Sequence, residues 1–192
     1  MTTRALQREH TRARIVEAAI EAFADRGFDG ATTRDIATRA GTNQGLVSYH
    51  FETKADLWRA AADRLCNELA ERLERELDGL PSGSERARES LRIFVRLNAQ
   101  RPALFHFLVD AGRHDGDRMR YLVETHLRRR FAEVARFTGD EEHAAHAYYA
   151  LAGASGLLFA VAPECRALTG VDASEADVIE RHADYVARLF VP

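Results

Sequence analysis

The chain has 192 residues, 46% hydrophobic and 30% charged, enough to bury a core in one or two globular domains and too apolar for a disordered chain. Its net charge is −3, proline is scarce at 4 residues, and the two cysteines, Cys66 and Cys165, lie far apart. A disulfide framework and a CxxC metal or redox motif are thereby excluded, and the thiols are expected to be reduced. Ala, Leu, Arg and Glu dominate throughout, with no strict alternation of β-branched residues, so the chain reads as all-α. No run approaches the roughly 18 uninterrupted apolar residues of a membrane span, and the start of the chain lacks an apolar signal core. The expectation is a cytoplasmic protein with no membrane partner.

The first fourteen residues hold Arg4, Arg8, Arg12 and Arg14 against Glu9 alone. This basic arm is either a solvated tail or a contact for an anionic polymer. Ile15, Ala18, Ala19, Ala22 and Phe23 then fall at i, i+3, i+4, i+7 and i+8, the stripe of a helix from about Thr11 to Arg26. Gly27 ends it. After the turn in "GFDGA", Thr32 with Asp35 three positions on forms a capping box for a short second helix, which stops at Ala40 and Gly41. Thr42 or Asn43 caps a third helix through Phe51. Thr53 with Asp56 repeats the signature and opens a long fourth helix, with Leu57, Ala61, Leu65, Leu69 and Leu73 at steps of four.

Two short helices separated by a turn that carries Gly41 near its start make a helix-turn-helix. In such a unit the last helix enters the DNA major groove, keeping one face apolar for its own domain and turning polar side chains outward. Val47 and Phe51, at i and i+4, form the inward face, and Gln44 and Ser48 look out. Gly45 lets the backbone approach the groove wall.

At "RIVEAAIEAFADRGF", "TTRDIATRAG", "NQGLVSYHF" and Lys54 the chain resembles the N-terminal domain of the tetracycline-repressor (TetR) family of bacterial transcriptional regulators, over about residues 11 to 60. Thr42 and Ser48 depart from the aliphatic residue and tyrosine usual there. The resemblance implies two domains, a DNA-binding one at 1–54 and a helical effector-binding and dimerisation one at 55–192, joined by the long fourth helix.

Gln44 has the geometry to pair bidentately with adenine, and Arg34 to reach a guanine edge or a phosphate. By the resemblance Gly45, Leu46 and Ser48 also face the groove, where Leu46 would meet a thymine methyl group. Thr32, Thr33, Tyr49, His50 and Lys54 offer hydroxyl, phenol, imidazole and ammonium groups suited to phosphates. For each of these a solvated side chain is the alternative; for Tyr49 it is packing against the first helix, and for His50 a core or hinge position.

Beyond Asp78, "DGLPSGS" breaks the fourth helix. Further helices are expected at about 84–101, 102–111, 116–137, 141–162 and 174–190, with Pro102 at a start, Gly139 at a stop and Ser174 with Asp177 as a capping box. The segment "HAYYALAGASGLLFAVA" is apolar around most of its circumference. Ala147, Leu151, Ala154 and Leu158 form one line, Tyr148, Ala152, Ser155 and Phe159 the next, so it must be covered on more than one side. With Ile179, Ala183, Val186 and Phe190 of the last helix, the first line matches the four-helix dimer interface that the resemblance implies; an intrachain core is the alternative. Two recognition helices on a pseudo-palindromic operator require such a dimer.

Phe94, Leu97, Asn98, Phe105, Leu108, Tyr121, His126 and Tyr148 supply apolar surface with a few hydrogen-bonding groups, as a small-molecule site needs, although each aromatic also fits a plain core. The effector pocket itself comes from the resemblance, which implies a largely apolar ligand that releases a repressor from its operator. His106, Asp110 and His114 step by four, but Gly112 interrupts the helix, so no metal is assigned. No phosphate loop, GxSxG elbow or HExxH helix is present, and neither an enzyme nor a cofactor is expected. Residues 1 to 54 carry 8 Lys and Arg against 7 Asp and Glu, leaving +1, too little for binding driven by phosphates alone.

Overall fold

The computed structural model describes residues 3–138 and 141–191, and every regular element among them is helical. In order these are α1 (Thr3–Gly30), α2 (Thr33–Arg39), α3 (Gln44–His50), α4 (Lys54–Glu76), α5 (Ser84–Gln100), α6 (Pro102–Gly112), α7 (Asp117–Leu122), a π-helical turn (Val123–Leu127), α8 (Arg128–Thr138), α9 (Glu141–Ala160), α10 (Ala162–Thr169) and α11 (Ala176–Phe190). The expected stop at Gly139 lies outside the described residues. Among those residues no single helix is long and apolar enough to cross a membrane.

Several boundaries differ from expectation for local reasons. α1 begins at Thr3 rather than near Thr11, because residues 3–10 contain no helix breaker although they carry no apolar stripe. The helical path breaks at Gly27, whose φ of 68° and ψ of 176° are non-helical, as its position in the sequence implies. α11 starts at Ala176 and lacks a side-chain cap. Asp172 takes both the backbone N–H and the hydroxyl of Ser174 instead, at 2.9 and 2.6 Å, so the expected Ser174–Asp177 box does not form. α10 is additional to the expected helices; Pro163 near its start and Gly170 in the left-handed region (φ 74°) at its end mark it.

Two compact units emerge from the contacts, one comprising residues through Cys66 with His106–Thr125, the other Asn67–Phe105 with the residues from His126 onward. The boundary expected at residue 54 isolates the helix-turn-helix alone. The first unit also takes in the start of α4 and the corner between α6 and α7, because aromatic packing joins them. Trp58 stacks on Phe107 at 5.1 Å, and Phe23 meets Phe107 edge-on at 6.3 Å. Ile15, Ile20, Ile36, Val47, Leu57, Leu65 and Leu122 complete this buried core.

In the second unit α5 packs on α9 and α11, and α8 and α10 pack on α9. Val95, Phe159, Ala173, Ala183 and Val186 form its buried centre, with Leu151, Ala154, Leu158, Ile179 and Phe190 against it. Two expectations are corrected here. Ala183 and Val186, assigned to a dimer interface, are fully buried in the chain's own core, at 0% exposure. Leu151, Ala154, Leu158, Ile179 and Phe190 lean on the same cluster. The side chains that α9 and α11 leave in solvent lie on another stripe: Tyr149, Leu157, Tyr185 and Leu189.

Candidate DNA-binding surface

The turn between α2 and α3 is held by backbone chemistry that needs its glycine. Gly41 has φ 60°, a conformation that a side chain disfavours. Its N–H donates to the Thr38 carbonyl at 3.1 Å and that of Thr42 to the Ala37 carbonyl at 2.9 Å, closing the end of α2. From α1, Arg14 donates to the carbonyls of Ala40 and Gly41. Asn43, rather than Thr42, then caps α3 by accepting from the Leu46 N–H at 2.9 Å. The caps on either side follow the same logic. Thr32 accepts from the Asp35 N–H at 3.1 Å, while the Asp35 carboxylate turns to Arg26 at 2.7 Å instead of closing the box. Thr53 and Asp56 do close theirs, with the Asp56 N–H on the Thr53 hydroxyl at 3.0 Å and the Thr53 N–H on the Asp56 carboxylate at 3.1 Å.

This scaffold fixes which side of α3 is free. Val47 and Phe51 are buried, whereas Gln44, Gly45, Leu46, Ser48 and Tyr49 are exposed. Arg34 and Thr32 of the neighbouring helix are also exposed, and Thr33, His50 and Lys54 are half-buried. The ten side chains assigned to DNA from the sequence therefore all reach solvent from the first unit. Three have neighbours that the sequence does not announce. Gln44 donates its amide to the Thr33 hydroxyl at 3.2 Å. Lys54 donates to the Ala31 carbonyl at 3.0 Å and sits 4.4 Å from the centre of the Phe28 ring. His50 meets the edge of Tyr49 at 5.3 Å, and its pKa is lowered by burial, then by the charges of Arg8 and Arg12.

Behind this surface, α6 grips the end of α1. Asp110 accepts the Phe28 N–H at 3.3 Å, and a Cβ at Gly27 would come within 2.8 Å of its carboxylate. Arg118 lies 3.6 Å over the Phe28 ring. Asp110 is thus engaged with backbone, His114 is 4.0 Å from it, and His106 is exposed.

The side chains expected to line an effector pocket are divided between the two units. Leu108 and Tyr121 belong to the first unit, whereas Phe94, Leu97, Asn98, Phe105, His126 and Tyr148 belong to the second. The Tyr121 hydroxyl donates to Asp63 at 2.7 Å, and burial followed by that carboxylate pushes its pKa up to about 12. In the second unit Leu97 and Asn98 are buried, Asn98 donating to the Phe94 carbonyl at 2.9 Å. The Phe105 ring presses on Gly156 so closely that a side chain there would collide with it. Tyr148 contacts Phe131 edge-on at 5.8 Å. Beside Gly156, the fully buried Ser155 hydroxyl has no hydrogen-bond partner among the described residues. Its position on an apolar helix concealed its interest in the sequence, where it reads as one more small core residue.

Residues 15–61, from the core stripe of α1 into α4, match the profile of bacterial regulatory proteins, tetR family. That stretch is a tetR-family helix-turn-helix segment. The transcriptional activator FasR of Mycolicibacterium smegmatis is 32% identical over 123 residues, which span 62% of this chain and 48% of FasR. A transcriptional repressor of Mycobacterium tuberculosis is 44% identical over 69 residues, 36% of this chain and 37% of that protein. The chain thus spans about half the length of FasR and less of the repressor. AibR, solved in complex with isovaleryl coenzyme A and operator DNA, superposes with a TM-score of 0.72 over 95% of this chain and 98% of its own, at 13% identity. That likeness is one of fold. These relatives are regulators of transcription, not enzymes.

Proposed function

We propose that this chain is a cytoplasmic, homodimeric repressor of the tetR family that leaves a pseudo-palindromic operator when a small, largely apolar effector binds. The observation that carries the DNA-binding part is the outward face of α3, polar along its length and capped by Asn43, on a helix whose opposite face is buried. In this reading Gln44 and Arg34 read bases, with Gly45, Leu46 and Ser48 against the groove floor. Thr32, Thr33, Tyr49, His50 and Lys54 hold phosphates, Lys54 with the ammonium protons it does not give to Ala31.

The apolar side chains Tyr149, Leu157, Tyr185 and Leu189, left in solvent by α9 and α11 at 52–74% exposure, support pairing with a second copy. Two recognition helices about 34 to 36 Å apart, or a multiple of it, then meet successive major grooves on one side of the duplex. For the effector, the second unit supplies Ser155, a fully buried hydroxyl with no hydrogen-bond partner among the described residues, next to the Gly156 on which Phe105 presses. Repression is favoured over activation because a protein seated on a promoter excludes polymerase; the relatives include both kinds.

The test is binding of the purified protein to duplexes tiled from the DNA flanking its own gene, titrated across salt. Tight binding to one duplex with a two-fold symmetric footprint is the expected result. Equal, weak binding to every duplex would overturn sequence-specific regulation at that locus.

A further inference from the structure

We propose that Arg4, Arg8 and Arg12 form a second contact with the DNA backbone, a cationic ridge on the helical arm that precedes the helix-turn-helix. The inference rests on the DNA-binding reading of α3 and adds to it an element outside the stretch that matches the family.

The arm has no packing role that would explain it. Residues 3–14 are helical, yet all but the half-buried Thr11 are exposed, and burial in α1 starts at Ile15. A helix that is polar all round needs a partner or a solvated purpose. Arg4, Arg8 and Arg12 stand at i, i+4 and i+8 and so share one face of this arm. At about 1.5 Å per residue the ridge is about 12 Å long. One DNA strand presents a phosphate about every 3.4 Å of axis, so the ridge has room for up to three of them.

The ridge is also pinned to the recognition helix and to the residue that ends it. The Arg8 guanidinium lies 5.6 Å from the centre of the Tyr49 ring, and that of Arg12 lies 5.0 Å from Phe51. Stacking of this kind holds the planar group by its face and leaves the N–H donors at its edge available. Arm and α3 therefore present their charge on neighbouring surfaces, Tyr49 and His50 belonging to both.

Pairing separates these arginines from the others around them. In the same unit Arg26, Arg39, Arg59 and Arg64 have carboxylate partners at 2.7, 2.7, 3.0 and 3.1 Å. Arg14 is engaged by backbone carbonyls. Among the described residues Arg4, Arg8 and Arg12 have no such partner, and Arg34, the candidate base reader, is the other arginine of α1 to α3 in that position. The unpaired cations of these helices thus coincide with the proposed DNA face. His50 records the same excess: after burial, Arg8 and Arg12 lower its pKa, as expected where positive charge is concentrated with no anion present.

The experiment compares the full-length protein with R4A/R8A/R12A on one random-sequence duplex and on the tightest duplex from the tiling experiment, by fluorescence anisotropy across salt. Each phosphate contact contributes about 0.9 to the slope of log K against log salt. The proposed dimer carries two arms, so the expected result is a slope shallower by up to about 5 from as many as six lost contacts, and affinity lower on both duplexes by a similar factor, since phosphate contacts carry no sequence information. An unchanged slope overturns the proposal while leaving the α3 reading intact. If the parent protein shows no salt-dependent binding to either duplex, the α3 reading fails and takes this one with it. Should the triple variant lose helicity, Arg4→Ala and Arg4→Glu decide the matter, because Arg4 touches no ring. A slope reduced by about two in Arg4→Ala, one contact from each arm of the dimer, with weaker binding still in Arg4→Glu, supports the ridge; slopes equal to the parent's overturn it.

Discussion

The two units cover short helices with different chemistry. In the first, rings gather at the centre: Trp58, Phe107, Phe23 and Phe28 touch in sequence, with Ile15, Ile20, Leu57 and Leu65 buried in the same unit. In the second, the centre is aliphatic and alanine-rich, and arginines of α5 join α11 from outside, with Arg92 on Asp184 at 2.8 Å and Arg96 on Glu180 at 2.7 Å. A ring-built core is concentrated, so its stability should hang on few residues and its surface is free to carry recognition. A core spread over many small contacts tolerates local change, which suits a unit proposed to reshape around a ligand.

The largest expected effect tests that contrast. Trp58 and Phe107 are 1% exposed, and truncating a buried aromatic to alanine costs about 3 to 5 kcal/mol. Urea unfolding of Trp58→Ala should show a loss in that range, whereas Leu151→Ala, at the half-buried edge of the second core, should lose clearly less. Similar losses at both would remove the distinction between the units.

Next in size is the pair Val186→Asp and Tyr185→Asp, one residue apart on α11. Val186 is 0% exposed and Tyr185 is 60% exposed. A carboxylate at 186 is buried without a partner, which costs several kcal/mol or forces the group neutral, so the expected outcome is loss of helical signal and aggregation. At 185 the charge stays in water in the monomer. Sedimentation should then find a folded monomer where the parent is a dimer. A Tyr185→Asp protein that still sediments as a dimer would take α11 out of the interface.

The same pair explains what could be read without coordinates. Residues 32–57 were legible because each capping residue and Gly41 act within a few positions of themselves, and because Val47 and Phe51, four positions apart, give α3 and the residue that ends it one apolar face to bury. The α9 and α11 stripe was not legible in the same way. Almost every line along α9 is apolar, so periodicity identifies a covered helix without saying which line the chain covers for itself. Choosing Ala183 and Val186 for the interface put the intrachain core outside. The ring cluster was missed for another reason: Trp58 and Phe107 are 49 positions apart in the sequence, and no local rule joins them.

Within the DNA-binding face the expected effects are smaller and differ in kind. Gln44→Ala should lose about 1 to 3 kcal/mol on the operator and relax one base position, while Lys54→Ala should weaken operator and random duplex alike. Competition binding with single-base variants separates the two. The Gln44 amide also donates to Thr33, so Thr33→Val should reproduce part of the Gln44→Ala pattern, and a uniform loss would return Thr33 to the phosphate contacts.

The smallest effect belongs to the ion pairs between α5 and α11. Hydrogen bonding from Arg96, helped by its charge and opposed by burial, holds the Glu180 carboxyl below its usual value. For an acid whose pKa is depressed on folding, the stabilisation is present above the unfolded-state pKa and is lost as the pH falls through the folded-state one. Glu180→Gln should therefore destabilise the protein near neutral pH, and its difference from the parent should shrink below about pH 4.3, the ordinary glutamate value, and disappear below the depressed one. The Glu180 side chain is 54% exposed, which screens the charge and keeps the expected loss under about 1 kcal/mol. Thermal melts of the two proteins from neutral to acid pH give the comparison. A difference that persists at the acid end would mean that Glu180 acts through something other than its charge, and the second unit would then owe less to its ion pairs than the contrast with the ring-built unit requires.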